Sequence, residues 1–69
     1  MAQLDQARER PLPQLLTTRE LADRLGVPIS TVRFWRGRGE GPPGFKLGKR
    51  VVYRTTDVAR WLELQRRNV

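Results

Sequence analysis

With 69 residues, no cysteine and no histidine, the chain has room for one small domain and lacks the side chains for disulfides, thiolate or imidazole metal sites, or a histidine acid/base pair. Fourteen Lys and Arg against seven Asp and Glu give a formal charge of +7, so the surface attracts polyanions. No apolar run approaches the roughly 20 residues that span a bilayer, and the N-terminus carries no signal-peptide core, so a cytoplasmic protein that does not enter a membrane is expected.

Residues 1–14, "MAQLDQARERPLPQ", are polar and charged, contain two prolines and hold too few apolar positions to bury anything. They are expected to form a disordered lead-in. The texture changes at "LLTTRELADRLG", where Thr17 followed by Glu20 is a capping box and Leu21, Ala22 and Leu25 recur at helical spacing, predicting a helix over Thr18 to Leu25. Gly26 ends it, and Pro28 stands where a second helix can begin. In "PISTVRFWRG", Ile29, Val32 and Trp35 or Arg36 stand three and four apart, so one side faces the first helix. Ser30, Thr31, Arg33 and Phe34 lie partly or wholly off that stripe. The last segment, "TTDVARWLELQRRNV", opens with a Thr cap and an early acid, Asp57, and places Val58, Trp61, Leu62 and Gln65 on one face. Trp35 and Trp61 are expected as core anchors.

Between the second and third helices lies "GEGPPGFKLGKRVVYR". Its two prolines disrupt helix and ladder alike, so "GEGPPG" is expected to be an irregular crossover. After it the apolar residues alternate, which is a strand signal that linkers lack. A two-residue Gly48-Lys49 loop pairs Leu47 with Arg50 and mixes the faces. Pairing Leu47 with Val51 and Phe45 with Tyr53 keeps four apolar side chains together and leaves Gly48, Lys49 and Arg50 as a three-residue tip, so that register is preferred, with the turn type left open. Either choice projects a basic finger from the core.

Helix, tight glycine turn, helix is a DNA-binding arrangement when the second helix carries cationic and hydrogen-bonding groups outward. The run "LLTTRELADRLGVPISTVRFW" followed by "GPPGFKLGKRVVYRTTDVARWL" resembles the small winged helix-turn-helix excisionases and AlpA-type regulators, which are related to the MerR DNA-binding domain. The resemblance covers Leu15 to about Leu64, and "STVRFW", the "GPP" with its basic wing, and the start of the last helix carry it. It implies an α+β winged helix-turn-helix over residues 15–67, with three short helices and a two-stranded antiparallel hairpin wing between the second and third. It further implies a recognition helix in the major groove and a wing on the adjacent backbone or minor groove. Carried over residue by residue, Ser30, Thr31, Arg33 and Phe34 match recognition-helix positions, Arg36 the flank toward phosphate, and Lys46, Lys49 and Arg50 the wing. The chemistry agrees: Arg grips guanine bidentately, hydroxyls reach bases or phosphates, and an aromatic presses a thymine methyl or sugar. Arg19, in the first turn of the first helix, is placed to meet phosphate beside the helix N-terminus.

An enzyme is not expected. Asp5, Glu9, Glu40 and Asp57 form no paired-carboxylate site, and "GEGPPG" lacks the Lys-Ser/Thr ending of a phosphate-binding loop. No cofactor, metal or small-molecule substrate is called for. The partner implied is double-stranded DNA, with an integrase and neighbouring copies of the chain as further partners if the role is that of an excisionase. A promoter-binding regulator of the AlpA type shares the same surface, and a basic adaptor for an acidic protein is the reading from another class.

Overall fold

A computed structural model describes residues 14–68. In chain order it contains β1 (Leu15–Thr17), α1 (Thr18–Leu25), α2 (Ile29–Gly37), β2 (Phe45–Leu47), β3 (Arg50–Arg54) and α3 (Thr55–Arg67). The strands form one antiparallel sheet in the order β1-β3-β2. The fold is the expected winged helix-turn-helix, enlarged by a third strand, β1, that joins the hairpin from the residues just before α1. Residues 1–13, most of the expected lead-in, lie outside the described residues, and the carbonyl of Gln14 accepts the Thr55 N–H at 3.0 Å.

The first helix forms for the local reasons its sequence carries. Thr17 Oγ1 accepts the Glu20 N–H at 3.1 Å while Glu20 Oε1 accepts the Thr17 N–H at 2.8 Å, so two otherwise unpaired donors at the helix start are satisfied reciprocally. Gly26 ends it at φ 71°, a left-handed conformation that a side chain would strain, and Val27 N–H returns to the Ala22 carbonyl at 3.0 Å. The chain thus turns sharply enough for α2 to start at Ile29, one residue after Pro28. α3 departs from expectation at its start: β3 runs into it without a break, so the cap position falls on Arg54 and no threonine caps the helix. Instead Arg54 Nε donates to Asp57 Oδ2 at 2.9 Å and Nη2 to Oδ1 at 3.2 Å. That hydrogen bond, reinforced by the Asp57 charge, holds the Arg54 guanidinium above its ordinary pKa.

The core is built from Leu16, Leu21, Ala22, Val32, Tyr53 and Val58, with Leu25, Val27, Ile29, Trp35 and Val51 packed around it. Leu16 and Tyr53 are register partners, so the sheet presents them together to the helices. The hairpin register corrects the expectation. Leu47 pairs with Arg50, Lys46 with Val51 and Phe45 with Val52, leaving Gly48-Lys49 as a two-residue turn. Gly48 has φ 67° and no non-glycine residue among the described ones has positive φ, a combination that suits a type II′ turn, whose first central position requires glycine, and excludes type I′. In this register Phe45 and Leu47 do not point inward. They share the outer face with Leu15, Thr17, Arg50, Val52 and Arg54 and remain 42% and 56% exposed. The mixed pair Leu47–Arg50 is tolerated because that face looks away from the core.

Of the two expected anchors, Trp35 packs against the core and Trp61 is not among the residues that do. Both are only half-buried, and their rings pack on each other at 5.4 Å between centroids and 49° between planes. α3 touches the body chiefly through its first turns, where Val58 is buried, while Leu62 on the same face is 45% exposed.

Tyr53 is buried to 1% exposure, yet among the described residues its hydroxyl meets no hydrogen-bond partner. Removing a polar atom that lost its water without replacement relieves a desolvation cost, so Tyr53→Phe is expected to leave stability within about 1 kcal/mol of wild type or to raise it. Urea unfolding measures this directly, and a loss above about 2 kcal/mol would show that the hydroxyl is bonded in the folded protein.

A candidate nucleic-acid interface

One groove on this small domain gathers side chains that are far apart in sequence. It has a volume of about 770 Å³ and is lined by Thr17, Thr18 and Arg19 from the start of α1, by Ile29, Arg33, Arg36 and Gly37 from α2, and by Lys49, Arg50 and Val51 from the wing. The capping box fixes the direction in which α1 begins, and so the place of Arg19. Arg33 and Arg36 stand three apart on α2, with Ile29 and Gly37 four residues on either side of Arg33, so these residues form one stripe. The tight turn at Gly48 brings Lys49 and Arg50 to the wing tip facing that stripe.

The electrostatics of the groove are one-sided. Among the described residues, none of Arg19, Arg33, Arg36, Lys49 and Arg50 has an acidic partner, whereas Arg38, Arg54, Arg66 and Arg67 are each paired with a carboxylate at 2.6 to 4.0 Å. Of the eight cations without an acidic partner among the described residues, five line this concave surface, while Arg24, Lys46 and Arg60 and all the paired ones lie outside its lining. A concave, cationic wall focuses positive potential, which suits a polyanion that fills the groove lengthwise. The start of α1 borders the same region, and the positive end of that helix's dipole adds to the potential there.

Five of the nine residues singled out in the sequence therefore meet in one place: Arg19, Arg33, Arg36, Lys49 and Arg50. The other four lie elsewhere. Ser30, Thr31 and Phe34 are on α2 but do not line the groove, with Ser30 and Phe34 exposed and Thr31 half-buried. Lys46 is exposed on β2, paired with Val51 in the register. The sequence reading overlooked Thr18, whose place beside Arg19 follows from the capping box.

A family model described as a helix-turn-helix domain matches residues 15–66, nearly all of the described fold. This chain belongs to that helix-turn-helix family, the family of small excisionase and AlpA-type DNA-binding proteins. No curated protein and no solved structure gives a match. The family is a DNA-binding family and not an enzyme family, so the protein is a small DNA-binding helix-turn-helix protein whose partner is double-stranded DNA. No helix among the described residues is long and apolar enough to cross a membrane.

In this helix-turn-helix protein the Trp35–Trp61 pair belongs to a different surface. Trp35 is two residues from Arg33 and so about 200° away around α2 at 3.6 residues per turn. It borders a second hollow lined by Gly39, Glu40, Gly41, Trp61 and Gln65, which carries an acidic side chain and no cation.

Proposed function

We propose that this protein is an excisionase, a recombination directionality factor that binds and bends attachment-site DNA and assists an integrase in excising a mobile element. The observation that carries the DNA part of the reading is the groove in which five cations from α1, α2 and the wing converge, none with an acidic partner among the described residues. In this reading residues 15–67 form the DNA-binding unit, with α2 in the major groove. Arg33, Ser30, Thr31 and Phe34 face base edges, while Arg19, Arg36, Lys46, Lys49 and Arg50 hold phosphates.

The architectural part rests on a magnitude. One nine-residue helix and one short wing discriminate only a handful of base pairs, at about 1–3 kcal/mol each, too little to single out a site in a genome. Neighbouring copies on tandem sites, together with an integrase, supply the remainder, and sharing among copies divides a bending cost on the order of 1–6 kcal/mol. The protein is then expected to stimulate excision by its integrase on attachment-site DNA and to fill adjacent sites cooperatively in footprints. Absence of stimulation, with control of a promoter by the same surface, would assign it instead as an AlpA-type regulator.

A further inference from the structure

We infer that Phe34 on α2, with Arg38 and Glu40 just beyond its C-terminal end, forms a second reading element, separate from the groove, that recognises a thymine next to a guanine. This rests on the DNA-binding reading of α2 and names part of what that helix reads. Phe34 is 58% exposed, although a small domain has few large apolar side chains to spare. The Arg38 guanidinium lies over its ring at 5.2 Å from the centroid, a cation–π arrangement. Arg38 Nε is also 3.5 Å from Glu40 Oε2, with both side chains more than half exposed. The aromatic face and the carboxylate thus hold one guanidinium between them on the open side of the helix. Ser30, Phe34 and Arg38 stand four apart, so all three follow one stripe along α2 and its C-terminal end.

This arrangement differs from that of the groove cations in a way that selects its target. An acidic neighbour repels phosphate, so Arg38 is poorly suited to gripping the backbone. A guanidinium whose orientation is already restricted is well suited to the paired acceptors O6 and N7 of guanine. Beside it the Phe34 ring offers an apolar edge to a methyl group, and thymine is the only standard base with a methyl in the major groove. Ring and guanidinium are in contact, so the bases they meet are neighbours. Of the two orders, T-G is a pyrimidine–purine step that kinks readily, so the same contact favours a bent site.

The test begins with selection of preferred duplexes from a random library by the full chain. In the selected site uracil then replaces the thymine and 7-deazaguanine the guanine, one at a time. Wild type is expected to lose about fourfold in affinity with uracil, the value of one buried methyl group. It is expected to lose about tenfold with 7-deazaguanine, which removes one acceptor of a charged hydrogen bond. Phe34→Ala should become indifferent to uracil, Arg38→Gln indifferent to 7-deazaguanine, and Glu40→Gln should retain binding with weaker discrimination against 7-deazaguanine. All three positions are exposed, so circular dichroism of the variants should match wild type. A selected site without adjacent T and G, or a wild type blind to uracil, would overturn the inference while leaving DNA binding intact. Failure to bind any duplex at low salt would overturn both.

Discussion

Leu21→Ala is expected to unfold this domain over much of the physiological temperature range. Leu21 is completely buried and packs in the cluster that joins α1, α2, the sheet and α3. Truncating such a leucine removes transfer free energy and leaves a cavity, at a cost of about 2–5 kcal/mol. A domain of this size is stable by only about 3–8 kcal/mol, taking about 0.05–0.15 kcal/mol per residue, so the loss is a large fraction of the whole. The chain has neither cysteine nor histidine with which a disulfide or a zinc site could compensate. Thermal melting followed by circular dichroism should show a midpoint lowered by at least about 8 °C, and DNA binding should fall in parallel, because α1 sets the position of Arg19. A midpoint within about 2 °C of wild type would mean that the core is not organised around this helix.

Arg33→Ala and Lys49→Ala should weaken DNA binding in two different ways. Arg33 projects from the middle of α2 into the groove, where a bidentate contact to a base edge carries about 1–3 kcal/mol of discrimination. Its loss should compress the ratio of specific to non-specific affinity by roughly 5- to 150-fold, since about 1.4 kcal/mol is a factor of ten. Lys49 sits at the tip of a tight turn with its flexible stem exposed, which suits a phosphate and carries no sequence information. Its loss should weaken all sequences alike and reduce the slope of log affinity against log salt by about 0.9. Equal loss of preference from both substitutions would overturn this division of labour. If the protein were instead an adaptor for an acidic protein, duplex affinity would be undetectable even at low salt.

What could be read from the sequence was what the chain decides locally. The Thr17–Glu20 box, the glycine stop at Gly26 and the helical spacing of Leu21, Ala22 and Leu25 involve residues within a turn or two of each other, and all appear in the fold as expected. The hairpin's existence was equally plain, but its register was not. Alternation grouped Phe45, Leu47, Val51 and Tyr53 on one inward face, on the assumption that β3 had one partner strand and one buried side. β3 is in fact the central strand. Val52, flanked by its partners Thr17 and Phe45, is 5% exposed on one face, while Tyr53 is buried against the helices on the other. With both faces of β3 covered, alternation no longer identifies the inner one. β1 went unseen because three residues, Leu15 to Thr17, are too few to show a period, and their role depends on a partner 37 positions away, as in Leu16 with Tyr53. The half-burial of the two tryptophans has a similar origin: helical spacing placed them on inner faces, but it could not show that their rings pack on each other, 5.4 Å apart, with part of each left uncovered. For the candidate site, charge and spacing picked out the five groove cations, and only tertiary structure could separate them from Ser30, Thr31, Phe34 and Lys46.

The claim that the groove between α1, α2 and the wing is the DNA interface can be tested most directly by titrating isotopically labelled protein with a short duplex and following backbone and side-chain NMR shifts. The largest changes are expected at Thr18 and Arg19, along α2 from Ile29 to Gly37, and at Lys49 to Val51, fading as salt is raised. Changes confined to the surface around Trp35, Trp61 and Gln65, with the groove resonances unmoved, would contradict it.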